Sequence, residues 1–193
     1  MLEDYYNKKI KTLTVPFYFN RKLSDLPIGI KKIIFEENIK KGESSKFNQT
    51  LDDLPNSVTD LIFGKKFYQS VDNLPNRLTH LIFGEDFDLP VDNLPNRLTH
   101  LTFGLSFNRP VNNLPHTLTH LTFGIRFFQI ANNLPCGLKE IKIEFYKLRL
   151  IKKIPFCCRI INEYGYEFTT SELNDNEQED YFPNLFILSN NNL

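Results

Sequence analysis

The eleven residues VDNLPNRLTHL run from Val71 to Leu81 and recur unchanged from Val91 to Leu101, twenty positions later. The period extends well beyond this pair. Leu-Pro falls at Leu54, Leu74, Leu94, Leu114 and Leu134, each twenty residues after the last. Behind each leucine the same slots refill: Val58, Leu78, Leu98, Leu118 and Leu138, then Leu61, Leu81, Leu101, Leu121 and Ile141, then Phe63, Phe83, Phe103, Phe123 and Ile143. Glycine follows at 64, 84, 104 and 124, and a second aromatic line stands at Phe67, Phe87, Phe107 and Phe127. A fixed period of this length is the mark of a stacked repeat architecture.

The core of each repeat, L-x-x-L-x-F, predicts a short strand. Leu81 and Phe83 alternate with His80 and Ile82, so two side chains point inward and two outward. Gly84 is expected to permit a turn that other residues resist. The return half, Phe107 to Pro115 (FNRPVNNLP), carries prolines and polar residues and suits extended chain and turns rather than a helix. A single rung cannot fold alone. Burying about six apolar side chains gains roughly 1.5–3 kcal/mol each, while ordering about twenty residues costs roughly 1–2 kcal/mol apiece. Stacking supplies the rest, because each rung covers its neighbour's face. The two phenylalanine lines are read as internal spines. The asparagine line Asn73, Asn93, Asn113 and Asn133 is read as a buried ladder that satisfies turn backbone groups. Recent duplication of the coding unit would also leave rungs identical.

The expected fold is mainly β: a leucine-rich-repeat-like right-handed solenoid of about seven rungs, with a parallel sheet on one face. Leu26, Ile30, Ile33 and Phe35 fill the slots upstream, with Phe19 and Asn20 before them; Ile10, Leu13 and Val15 hint at an earlier partial rung. The step from Leu26 to Leu54 is eight residues too long, which places a protruding insertion at 36–46. Downstream, Ile154-Pro155 keeps the register, with Cys158 and Ile161 in the leucine slots. The resulting division is 1–18 as partial rung or cap, 19–162 as solenoid, and 163–193 as acidic loop and capping segment.

Composition narrows the function. Lysine plus arginine equals aspartate plus glutamate, 23 each, so the basic excess of a phosphate-binding domain is missing and no nucleic-acid partner is expected. No apolar run approaches the roughly 20 residues that span a bilayer, and the start lacks a signal-peptide core, so no membrane role is expected. Three cysteines, two of them adjacent, do not make a disulfide framework; reduced thiols point to an intracellular, cytoplasmic setting.

The wording L-P-N-R-L-T-H-L-x-F-G followed by x-x-F-N-x-P-V resembles the FNIP repeat, whose name-giving segment stands here as Phe107-Asn108-Arg109-Pro110. The resemblance spans roughly Phe19 to Ile143. It implies kinship with leucine-rich repeats and an origin in social amoebae or in large DNA viruses that infect amoebae, and hence a host-cell partner. The segment is loose at Phe67, Phe87 and Phe127, and the family's usual spacing is slightly longer. Some relatives carry an F-box that recruits a ubiquitin ligase. Eighteen residues precede Phe19, short of that several-helix module, so recruitment by a direct F-box is not expected.

The outward strand positions form two columns: Asp60, His80, His100, His120 and Glu140, then Ile62, Ile82, Thr102, Thr122 and Lys142. Thr59, Thr79, Thr99 and Thr119 run beside them, and Arg77 and Arg97 border the face. At about 4.8 Å between strands the three imidazoles stack. Such a ladder spreads its nitrogens, whereas a closed zinc site needs four converging ligands, so neither metal nor cofactor is expected. No nucleophile pairs with His116 or His120, Cys158 is expected inward and inert, and Cys157 is expected to be exposed. The reading is a non-catalytic protein–protein interaction module that uses Asp60, His80, His100, His120, Glu140, Ile82, Thr102, Thr122, Arg77 and Arg97. The alternatives are substrate recognition for a ubiquitin ligase through a separate subunit, a metal-dependent or thiol enzyme, and an inert duplicated relic.

Overall fold

A computed structural model describes residues 2–168. Its strands form one sheet of nine, ordered as in the chain. They are β1 (Tyr6–Asn7), β2 (Thr12–Val15), β3 (Lys32–Phe35), β4 (Asp60–Ile62), β5 (His80–Ile82), β6 (His100–Thr102), β7 (His120–Thr122), β8 (Glu140–Lys142) and β9 (Arg159–Ile161). From β2 to β9 every pairing is parallel. About seven turns of chain join these strands into a β-solenoid. Among the described residues the non-strand segments contain only short 3-10 turns and no α-helix.

The inward column is continuous. Leu13, Ile33, Leu61, Leu81, Leu101, Leu121, Ile141 and Ile160 face one another across the ladder, all but excluded from solvent. Behind it stand the two phenylalanine spines. Within a rung the rings stack at 3.8 Å (Phe63–Phe67), 3.9 Å (Phe83–Phe87) and 3.7 Å (Phe103–Phe107). From rung to rung, centroids of the second line lie 6.2–6.3 Å apart. This exceeds the roughly 4.8 Å spacing of neighbouring strands.

The glycine line has a different cause from the expected one. Gly64, Gly84, Gly104 and Gly124 are not among the positive-φ residues. What they supply is close approach. A Cβ on Gly104 would sit 1.9 Å from the carbonyl oxygen of Gly84, and one on Gly84 would sit 2.0 Å from that of Gly64.

The asparagine ladder also differs. Asn73, Asn93 and Asn113 are exposed, and each side-chain amide donates to the aspartate of the preceding rung, Asp52, Asp72 and Asp92 at 3.3, 3.0 and 3.0 Å. Asn133 instead donates to the backbone carbonyl of Asn112 at 2.8 Å. These side chains lie where two turns meet at the surface, so their partners are neighbouring turn residues rather than buried backbone. The role of satisfying turn backbone belongs to another slot, that of the Asn in Phe-Asn. Asn20, Asn48, Asp88 and Asn108 each accept, through a side-chain oxygen, the backbone N–H one rung on, from Asn48, Tyr68, Asn108 and Phe128, all at 2.9 Å.

The ends depart from the regular period. Residues 36–46 fold back on themselves: Asn38 and Glu43 pair, Ile39–Lys41 makes a 3-10 turn, and Gly42 closes it in the left-handed region. The insertion is anchored as well as protruding, because Glu37 accepts the N–H groups of Ser45 (2.8 Å) and Lys65 (2.6 Å). Phe47 then resumes the spine against Phe35 at 4.2 Å. Before β2 the chain doubles back as an antiparallel hairpin with β1, and Ile10, expected inward, is exposed at its turn. At the other end Arg159 pairs with Glu140, a step of nineteen. That lost residue puts Ile160, not Ile161, in the leucine slot, while Ile161 faces outward beside Lys142. The capping rung expected near the C-terminus lies, from residue 169, outside the described residues.

Candidate functional site

The outward column assembles as its spacing predicts. Asp60, His80, His100, His120 and Glu140 are consecutive partners across β4 to β8, and beside them run Ile62, Ile82, Thr102, Thr122 and Lys142. The His80–His100 and His100–His120 rings stack at 4.3 Å, with planes 15° and 6° apart. His80 and Ile82 are exposed, and the remaining histidines and threonines of the face are half-buried.

The threonine line fixes how these rings are held. Thr79, Thr99 and Thr119 each place Oγ1 3.0 Å from the backbone carbonyl of the threonine one rung earlier. A hydroxyl has one proton, and a carbonyl can only accept, so that proton is committed. The same Oγ1 lies 2.9 Å from Nδ1 of the following histidine and therefore accepts from it. Each neutral imidazole is thus the Nδ1–H tautomer, with Nε2 left as an acceptor. Spacing alone pointed to a polar rim; it gave no sign that threonine sets the histidine tautomer, since that needs the register across two strands.

The electrostatics of the column are uneven. Burial, and then the charges of His80 and His120, lower the pKa of His100 below its ordinary 6.5. At one end Asp60 lies 3.5 Å from His80 Nδ1. At the other, Glu140 is engaged by Arg159 at 2.6 Å. The near-parallel rings direct their Nε2 lone pairs side by side, whereas a zinc ion needs nitrogens converging at about 2.0–2.1 Å. Among the described residues no three His, Cys, Asp or Glu side chains gather to hold a metal ion.

Arg77 and Arg97 come together outside the histidine column. They line a shallow depression of about 470 Å³ with Asn56, Ser57 and Asn76, and neither makes an ion pair among the described residues. The cysteines are free: Cys136 and Cys157 are exposed and Cys158 half-buried rather than fully inward. Burial, with Glu140 nearby, pushes the Cys158 thiol up to about 11, which keeps it protonated and a poor nucleophile. No helix among the described residues is long and apolar enough to cross a membrane.

A parallel solenoid with one leucine column and an open sheet face is a leucine-rich-repeat-like scaffold. The comparisons with known proteins agree. The FNIP Repeat family model matches residues 47–86, 70–104 and 88–125. Residues 47–125 of the chain thus carry FNIP repeats. Among solved structures it is similar to CroV588, a giant-virus protein described as a novel circular LRR protein, at 37% identity and a TM-score of 0.62. That match covers 79% of this chain but only 27% of the other, so the chain spans about a quarter of its structural relative. No curated protein matches this chain. Repeat scaffolds of this kind are typically non-catalytic and serve protein interaction.

Proposed function

We propose that this chain is a non-catalytic binding module that holds another protein against its sheet face, with Asp60, His80, His100, His120, Glu140, Ile82, Thr102 and Thr122 as the contact surface and Arg77 and Arg97 at its border. The observation that supports this reading is the face itself. Three stacked imidazoles, oriented by the Thr79, Thr99 and Thr119 hydroxyls, offer a row of pre-positioned acceptors beside the apolar Ile62 and Ile82. Rigid side chains lose little entropy on binding, which favours affinity per contact. The likeness to a giant-virus protein supports a partner supplied by the infected host cell.

The test is affinity capture from amoebal lysate with the natural chain and with a His80→Glu, His100→Glu, His120→Glu variant, both checked by circular dichroism. A partner held by the natural chain and lost by the variant is the expected result. A partner held equally by both would remove the histidine column from the contact surface.

A further inference from the structure

The depression that holds Arg77 and Arg97 carries charge that the stack does not use. Its repeat position reads Ser57, Arg77, Arg97, Thr117 and Gly137 in successive rungs. Thr117 shows what a side chain here can do for the fold. Its hydroxyl lies 2.9 and 2.7 Å from the carbonyl oxygens of Asn96 and Leu98 and ties two turns together. Gly137 shows that the position can also do without a side chain. The two arginines fit neither pattern. Both are exposed, and neither meets a carboxylate among the described residues. Two like charges on adjacent rungs repel, so the pair does not serve stability.

The rest of the lining is Asn56, Ser57 and Asn76. Every side chain of the depression therefore has an N–H or O–H to donate, none is a carboxylate and none is apolar. The Ser57 hydroxyl, unlike that of Thr117, has no hydrogen-bond partner, so its proton is uncommitted. The neighbouring depression shares Asn76 and contains Asp72 and Asp92. Those carboxylates already accept from Ser70, Asn93 and Asn113, at 2.7, 3.0 and 3.0 Å, and neither lines the arginine depression.

A donor-only lining selects an anion, and the charge count narrows it. One guanidinium satisfies a carboxylate by itself through a two-bond fork. Two unpaired guanidiniums match a group with about two negative charges and three acceptor oxygens, which is a phosphate monoester near neutral pH. A phosphodiester backbone is read by a basic excess, and this chain has 23 basic against 23 acidic residues. The depression of about 470 Å³ also has room for more than a bare anion, since a water takes about 30 Å³.

We infer that this depression binds a phosphate monoester presented by a protein partner as phosphorylated serine or threonine. Arg77 and Arg97 take the phosphate oxygens, and the Asn56 and Asn76 amides flank them. The inference rests on the functional reading above in placing the two arginines at the border of a protein contact. Inorganic phosphate is the other source of the same chemistry.

The test is an NMR titration of the full chain at about pH 7.5, following the arginine Nε–H signals. The probes are a five-residue glycine peptide with a central phosphoserine, the same peptide with serine, inorganic phosphate, and acetate. The phosphopeptide should shift the Arg77 and Arg97 signals saturably and bind at least about tenfold more tightly than acetate or the serine peptide. Arg77→Gln and Arg97→Gln should each weaken it about tenfold or more. Arg126→Gln, which removes the same charge from another exposed position, should leave it unchanged. The His80→Gln, His100→Gln, His120→Gln variant should also bind the phosphopeptide normally, so the depression is tested apart from the histidine face. Inorganic phosphate bound as tightly as the phosphopeptide would keep the site and overturn its assignment to a partner. No saturable shift, equal binding of the serine peptide or acetate, or equal weakening by Arg126→Gln would overturn the site itself.

Discussion

Glycine at the end of each strand shows how a single atom can set the spacing of a whole stack. With a methyl group at Gly104 the Gly84 carbonyl would be overlapped at 1.9 Å, and backbone rather than a flexible side chain would have to move. Gly104→Ala should therefore lower stability by about 3 kcal/mol or more, read as a drop in the urea midpoint. A change within error would show that the rungs separate freely. Histidine gives the residue scale its pH dependence. In the folded chain burial and neighbouring imidazoles weaken proton binding by His100 relative to the ordinary 6.5. The unfolded chain therefore binds the proton more tightly, so stability is full above about pH 6.5 and falls as the pH drops below it. Urea titrations at about pH 7.5 and about pH 5 should differ, and His100→Gln should shrink the difference. Identical pH dependence in the natural chain and the variant would rule out His100 as its source.

At the level of the rung, the Asn of Phe-Asn works as a link between successive turns. Asn108 Oδ1 receives both the Phe128 N–H and the Gln129 Nε2 amide, at 2.9 and 3.1 Å. Removing it leaves a backbone donor without its protein acceptor. Asn108→Ala is expected to cost about 1–2 kcal/mol and to raise the exchange rate of the Phe128 amide selectively. Unchanged protection at Phe128 would mean the bond is dispensable. Tyr68 and Phe128 interrupt this line. Among the described residues the loose segments at Phe67 and Phe127 thus lack this link, whereas Asp88 supplies it in the Phe87 segment, and the buried Phe67, Phe87, Phe107 and Phe127 keep the spine unbroken.

Across the molecule, stability should be graded along the stack. The strands β4 to β8 repeat at a constant period and have like neighbours on both sides. At the ends the period breaks, with the insertion after β3 and the nineteen-residue step into β9. In a one-dimensional array each terminal unit has fewer interface contributions than a central one. Hydrogen exchange should therefore be slowest in β5 to β7 and fastest in β2 and β9. Uniform protection from end to end would indicate a single all-or-none unit instead.

The sequence by itself determined the period, the inward leucine column, the phenylalanine spines and the outward histidine column, because each follows from a side chain recurring in phase with a strand's two faces. It also located the insertion, since a break in a strict period is visible without coordinates. Tertiary structure decided what depends on the distance between rungs. The glycine requirement comes from a neighbour's carbonyl, not from the residue's own backbone angles. Asn73, Asn93 and Asn113 turned out to bridge surface aspartates, while Asn48 and Asn108 bind backbone, a distinction that residue type cannot make. The histidine tautomer needs a hydroxyl, a carbonyl and an imidazole drawn from two rungs at once. Leu105 and Ile125 share a groove with residues of the insertion, far away in sequence, only in the folded chain. Periodicity fixes which way a side chain points; only the stacked chain fixes what it meets.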